Sequence, residues 1–353
     1  MKIIHFSTLH SPQSTRIFHK FVSCTNQKSS HQAIYYCGGS FNLDFPEKVI
    51  KISTSFGSKI LTRIKNLVVG TFRIIYEKPE YVQLHDPELL IASPFFKIFS
   101  IKVIYDSHEN FPLQFTSHHP KYLPIKLFLE IVENFFILLF VNKVIASTDE
   151  IFLRFKKLKK STYLIENSPR ERPKIVSEKK IHDFIYAGLI SPNRGILDLM
   201  YSLENTNIRL IICGPFSSSE YEEKCKKTSF WKNNVTYLGV IAQKKVKKLI
   251  SKSRYGIVSL ANTTNYIDSR PTKLFEYLAN GSNVIVSSMP YMKEAVDKFN
   301  LGYVFNFGEK KSIKENFLNA YADKDFYNIG EINSFFDSIK FFDDQLLSFL
   351  EEL

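Results

Sequence analysis

Cysteine is scarce, with four residues in 353 (Cys24, Cys37, Cys213 and Cys225) and no metal-ligand spacing among them. That excludes a disulfide scaffold and leaves reduced thiols as the expectation. Long apolar runs are missing too. The longest near the middle, Phe135 to Val141, falls far short of the ~20 residues needed to span a bilayer. The opening Met1-Lys2-Ile3-Ile4-His5-Phe6 is interrupted too soon for a signal peptide. There is no internal repeat, no long low-complexity segment, and no convincing Asp-x-Asp or His/Asp cluster to hold a metal. The expectation is a soluble chain that touches a membrane at most from one side.

What is present is a globular composition, 44% hydrophobic and 23% charged, which rules out a disordered or fibrous chain. The charge is lopsided: 47 Lys and Arg face 35 Asp and Glu, a net +12. Such an excess points to an anionic partner, whether nucleic acid, lipid headgroup or phosphorylated substrate. It is concentrated in residues 1–170, where 22 basic residues face 13 acidic ones, a net +9.

Short apolar runs alternate with stretches of helical period, and they do so twice. Strands are expected over 2–7, 33–37, 81–84, 103–106 and 143–146, with helices over 14–23, 58–77, 88–99, 124–140 and 150–157. In the second half, strands are expected over 184–187, 209–213, 235–238, 255–260, 283–287 and 303–305. Helices fall over 194–203, 220–227, 243–251, 271–280 and 311–322. Alternation of this kind implies crossover connections and parallel sheets. Pro169 and Pro173, among charged residues, place a seam at 167–180. The predicted architecture is α/β, two facing doubly wound domains over 1–168 and 181–330. A helical tail over 331–353 is expected to cross back to the first.

The most informative stretch is Asp268-Ser-Arg-Pro-Thr-Lys-Leu-Phe-Glu-Tyr-Leu-Ala-Asn-Gly281, followed by the apolar Val284-Ile285-Val286. Pro271 opens a helix whose amino-terminal N–H groups suit an anion. Lys273 and Glu276 fall one turn apart on one face, either as a surface ion pair or as a clamp for a diphosphate and a hydroxylated ring.

This segment resembles the signature of retaining, family 4 glycosyltransferases of the GT-B fold, in the branch of bacterial surface-polysaccharide assembly. That family places two carboxylates with this spacing before a small residue, a Gly and an apolar strand. Further matches follow in family order: Thr15-Arg16-Ile17-Phe18-His19-Lys20, Leu84-His85-Asp86-Pro87-Glu88, Tyr105-Asp106-Ser107-His108-Glu109-Asn110, and Ala187-Gly188-Leu189-Ile190-Ser191-Pro192-Asn193-Arg194-Gly195. Four departures stand out: Ser14 where an Asp is common, Leu189 at the first basic position of the phosphate loop, Asp268 where Glu is usual, and no glycine pair after the first strand.

The resemblance implies that Arg194, Gly195 and Lys273 bind the donor diphosphate, Glu276 the ribose and Asp268 the donor sugar. His108, with Asp268 and Glu276, would form the reaction centre. Arg16, His85, Asp86 and Glu109 are acceptor-side candidates. No metal or other cofactor is implied, and the expected co-substrate is a nucleoside diphosphate sugar, UDP being favoured. The expected acceptor is a glycan, lipid-linked and met by a cytoplasmic enzyme resting on the anionic inner leaflet, where the basic run Arg154 to Lys160 would sit. No nucleic-acid motif is present. Alternatives on the same residues are a nucleotide-sugar 2-epimerase and a non-catalytic basic binding protein.

Overall fold

Every strand pairing in this computed structural model is parallel, as helical crossovers require. The structure describes residues 1–38, 46–52, 58–118, 120–175, 178–262, 270–324 and 329–353. These divide into two units, Met1–Glu171 with Lys340–Leu353, and Arg172–Ile339. The first holds β1 (Lys2–Ser7), β2 (Gln32–Cys37), β3 (Val49–Lys51), β4 (Tyr81–Leu84), β5 (Lys102–Ser107), β6 (Lys143–Ala146) and β7 (Thr162–Leu164). Their order in the sheet is β3-β2-β1-β4-β5-β6-β7. The second holds β8 (His182–Ala187), β9 (Leu210–Cys213), β10 (Val235–Tyr237), β11 (Ser253–Val258), β12 (Asn283–Ser287) and β13 (Gly302–Phe305), ordered β10-β9-β8-β11-β12-β13. The strand order reverses between β1 and β4 in one unit and between β8 and β11 in the other. Such switch points leave a crevice outside the carboxyl ends of the strands.

The two-residue period of each strand builds a core on both faces. In the first unit Ile4, Val82, Val103 and Val144 point one way, against Ile74, Phe96, Ile137 and Phe155. Ile3, Ile104 and Ile145 point the other way, against Phe21, Phe342, Leu346 and Phe349. The core of the second unit gathers Phe184, Ile212, Tyr255, Ile285 and Phe317. All four cysteines are buried, and none is in a disulfide.

The structure adds elements that the sequence pattern does not show. Strands β3 and β7 have three residues each, too few to display alternation. The helices Ser229–Asn234 and Pro290–Phe299 also lie outside the expected set. The first expected helix is a π-helical turn, Thr15–Val22, continued by Ser23–Lys28. The stretch expected as one helical tail is two helices. Ile329–Ser338 stays with the second unit, where Phe335 meets Phe275 and Phe299. Phe342–Glu351 joins the first unit, held by Arg170 on both Asp343 oxygens at 3.0 and 3.2 Å. The apolar stripe alone could not show that the two halves of this tail part company.

Tyr277 fixes the helix Thr272–Ala279 beneath the second sheet: its Oη accepts the Ala187 N–H at 2.9 Å, and its ring fills the space left by Gly256. A Cβ on Gly256 would lie 2.1 Å from that ring. Gly256→Ala is therefore expected to cost about 1–3 kcal/mol. Urea unfolding should show a lower midpoint at unchanged slope.

Candidate active site

In the first unit the carboxyl ends of β1, β4 and β5 bring together polar side chains that belong to distant parts of the sequence. Asp106, at 0% exposure, is the centre. Arg16 grips it bidentately, Nη2 on Oδ1 at 2.7 Å and Nε on Oδ2 at 3.1 Å, and also reaches the Ile165 carbonyl. The π-helical turn that carries Arg16 also buries Lys20, which donates to Asn167 and to the Ser168 carbonyl. His85 Nδ1 lies 3.0 Å and His108 Nε2 2.7 Å from Asp106 Oδ2. Behind His85, its Nε2 meets His5 Nδ1 at 3.0 Å.

The carboxylate settles the protons. An ionised Asp106 only accepts, so His85 carries its proton on Nδ1 and His108 on Nε2. Neutral His85 then accepts at Nε2 from His5 Nδ1–H, which leaves His5 Nε2 buried without a partner among the described residues. His108 Nδ1 becomes the nitrogen able to accept a hydrogen bond, on a side chain 19% exposed where that of His85 is at 0%.

The environment keeps the inner histidines neutral. Burial lowers His85 to about 4 and His5 well below its usual value, and burial above all takes His10 to about 3. Burial opposes ionisation of Asp106, yet Arg16 and the histidines hold its carboxyl well below the ordinary range. Asp86 differs: burial raises it to about 6, although its Oδ2 accepts from Ser7 Oγ at 2.9 Å and Thr8 N–H at 2.6 Å. Asp86 does not cap the following 3₁₀ turn, Pro87–Ala92, with its side chain; it closes the loop after β1 instead.

His85, Asp106 and His108 offer ligand atoms within 4.8 Å of one another, the spacing of a metal triad. The donor set does not suit one. Asp106 is already neutralised by a guanidinium, and a divalent cation there would stand against Arg16 while displacing both histidine protons.

The second unit gathers its candidates around the ends of β8, β9 and β11. Arg194 closes the 3₁₀ turn Pro192–Arg194, and its charge reaches Tyr186 of β8. Gly195 follows at φ +59°, where a Cβ would also strike the Phe307 ring at 2.7 Å. Ala261 N–H donates to the Asn193 carbonyl at 2.9 Å, tying this loop to the end of β11. Lys273 and Glu276, on the first turns of Thr272–Ala279, form an ion pair at 2.6 Å, and the Lys273 charge reaches Cys213 at the end of β9. Pro271 stands just outside this helix, as its amino-terminal flank. Leu189 is exposed, and its carbonyl accepts from Tyr186 Oη at 2.6 Å. Asp268 lies outside the described residues.

The structure thus brings Arg16, His85, Asp86 and His108 together at one switch point, and Arg194, Gly195, Lys273 and Glu276 near the other. Arg16 is 7% exposed and committed to Asp106. Glu109 is exposed, and its carbonyl accepts from Ser107 Oγ. Sequence reasoning missed His5, His10 and Asp106 as site residues. The available signal was a histidine inside the apolar β1 run and an aspartate two positions before His108.

These histidines tie stability to pH. Below about 6.5 the unfolded chain takes up protons that folded His5 and His85 refuse, so stability falls as pH drops from about 6.5 toward about 4. Each contributes on the order of 1 kcal/mol per pH unit. Asp86 offsets part of this, since its folded carboxyl binds a proton from about 6 downward, before the unfolded group does. Urea midpoints measured across this window should fall with pH, and His85→Asn should flatten the slope.

Residues 167–331 match the family model described as "Glycosyl transferases group 1". No curated protein sequence matches the chain. Among solved structures, sucrose-phosphate synthase from Thermosynechococcus elongatus aligns with TM-score 0.74 at 13% identity, covering 99% of this chain and 97% of that one. HepE of Anabaena in complex with UDP-glucose aligns at 0.71 and 14%, covering 100% of both chains. The apo lipopolysaccharide outer core galactosyltransferase WaaB aligns at 0.67 and 14%, again over 100% of both. At these identities the structural likeness is one of fold, and the activity class comes from the family match. With residues 167–331 matching the glycosyl transferases group 1 model and both units built as the parallel-sheet α/β domains of the GT-B fold, the chain is a glycosyltransferase.

Proposed function

We propose that the protein is a retaining, family 4 hexosyltransferase that draws on a UDP-sugar and extends a lipid-linked glycan for a bacterial surface polysaccharide. The observation that carries the donor side is the Lys273–Glu276 pair on the first turns of a helix that follows a strand end. Lys273 is 37% and Glu276 20% exposed, so the pair is worth only a few tenths of a kcal/mol. A bound nucleotide exchanges it cheaply, Lys273 turning to the diphosphate and Glu276 to the ribose hydroxyls. Glu276 suits those hydroxyls because a carboxylate offers two acceptor oxygens. UDP is supported by HepE, whose structures hold UDP and UDP-glucose.

In the reaction the bond from the anomeric carbon to the diphosphate breaks, and a bond to the acceptor hydroxyl forms on the same face. The hydroxyl proton leaves with the departing phosphate. Charge grows on that phosphate, and Arg194 and Lys273 are the fixed cations that stabilise it. The helix N–H groups after Pro271 add to them. With two side-chain cations in this role, no metal is required. Asp268 and His108 contact the donor sugar. His108 has Nδ1 for this purpose because Asp106 holds Nε2. Asp86 and Glu109 serve the acceptor. Arg16 and His85 act through Asp106.

The enzyme works at the cytoplasmic face of the membrane, peripherally attached through the basic first unit, and nucleic acid is not a partner. The absence of any membrane-crossing helix among the described residues fits attachment from one side.

A panel of nucleoside diphosphate sugars, with the released nucleotide identified, tests the reading. Sugar transfer from a UDP-sugar is expected, unaffected by chelator. Lys273→Met and Glu276→Ala should each lower kcat/KM about a hundredfold or more. Their thermal stability should stay within a degree or two of the parent, because the pair contributes little to folding. Full activity in both variants would remove the donor assignment, and a C2-epimerised nucleotide sugar formed without acceptor would replace transfer by epimerisation.

A further inference from the structure

The helices covering one face of the first sheet are turned inside out. In Lys59–Glu77 the buried positions are Thr62, Asn66, Gly70, Thr71 and Ile74. The row facing away is Ile60, Ile64, Val68, Phe72 and Tyr76, spaced at i, i+4, with Phe72 at 69% and Tyr76 at 89% exposure. Gly70 lets this polar, narrow side sit close, since a Cβ there would meet the Phe6 ring at 2.6 Å. The helix Lys126–Phe140 does the same. It buries Glu133 and Ile137 and exposes Leu127, Phe128, Ile131, Phe135, Leu138 and Leu139. Glu133 is held in place: Tyr105 Oη donates to one oxygen at 3.1 Å and Arg154 Nη2 to the other at 2.5 Å. Between the two, Ser93–Ile98 packs against both and adds exposed Phe95 and Ile98.

A water-facing surface does not gain from such rows, whose burial elsewhere would each be worth kilocalories. Something apolar covers them, and charge selects what. The same three helices carry Lys59, Lys65, Arg73, Lys97 and Lys126, besides Arg63, which Glu88 holds at 2.5 Å. Their carboxylates are only Glu77, Glu130 and Glu133, and each is answered by a cation of this unit, Glu77 by Lys2 and the other two by Arg154. The surrounding half of the sequence, residues 1–170, is net +9. A second copy of the chain would bring the same cations against these and be repelled. No helix among the described residues is long and apolar enough to cross a membrane, so the rows lie on a bilayer rather than in it.

We propose that the outer face of Lys59–Glu77, Ser93–Ile98 and Lys126–Phe140 is a docking surface for an anionic lipid bilayer. The apolar rows enter the acyl boundary and the Lys and Arg side chains meet the phosphates. The proposal rests on the membrane attachment given above and assigns its place. It moves the contact from the run around Arg154, whose guanidinium is spent on Glu133 and Glu130, to the helices in front of it.

Co-sedimentation of the full chain with vesicles of phosphatidylcholine, with and without phosphatidylglycerol, tests it. Binding is expected to the anionic vesicles and to weaken with salt. Phe72→Ser, Phe128→Ser and Phe135→Ser combined should weaken it at least tenfold, and Lys59→Glu with Arg73→Glu about fivefold for each charge removed. Val240→Ser, equally exposed in the second unit, should leave binding unchanged. Donor hydrolysis and melting temperature should match the parent in every variant, which shows that the protein is folded. Parent protein that ignores anionic vesicles overturns both this proposal and the membrane attachment. Parent binding that survives the triple substitution overturns the assignment to this face alone. Self-association of the parent, lost in the triple variant and unaccompanied by lipid binding, gives the face to a second copy and overturns the proposal.

Discussion

Parallel pairing is the constraint on which the rest of the structure depends. When every strand runs the same way, all their carboxyl ends open on one edge of the sheet, and each chain return must pass over a face as a helix. Both consequences are visible in each unit. Polar residues collect where the strand order reverses, at β1/β4 and at β8/β11, and both faces of each sheet are covered. Ser7, Asp86 and Asp106 come from three strand ends that sequence separates by about 80 and 20 positions, yet adjacent parallel strands bring them to the same level.

Within that frame, burial of the Asp106 charge organises the first unit. A carboxylate at 0% exposure is stable only if its charge and its lone pairs are answered, and Arg16, His85 and His108 together do so. Because the acceptor is fixed, so are the tautomers, and the chain of hydrogen bonds runs from His5 through His85 to Asp106 with a single direction. His108 is the member that reaches the surface. The nitrogen it turns outward is therefore set by partners buried beneath it, which is how a rigid sheet positions one exposed side chain.

The second unit uses lighter means. Tyr277 and Gly256 lock a helix under the sheet, and the only charges on its free face are a partly exposed pair, Lys273 and Glu276. A rigid support carrying a weak, exchangeable ion pair suits a ligand that must be both bound and released. The buried network and the surface pair mark the two extremes of what charge does in proteins: one specifies a geometry, the other contributes little to holding the fold.

The α/β class, most strands to within a residue or two, and the Lys273–Glu276 pair of the second unit were legible before folding. Those features are local: a strand run, a proline before a helix and a pair one turn apart need no distant residue to be read. The sequence also carried His85, Asp86 and His108 through short motifs. What joins them exists only in the folded chain, since Arg16 meets Asp106 across 90 residues and His5 meets His85 across 80. The tertiary structure decided which side of a helix is inside as well. The stripe of Ile60, Ile64, Val68 and Phe72 has an amphipathic period that fixes a face but not its direction. Here the sheet takes the Thr62, Asn66 and Gly70 side because Phe6 needs the room a glycine leaves. Periodicity is a property of one segment; which face is buried is a property of the surface it packs against, and that surface exists only in the folded chain.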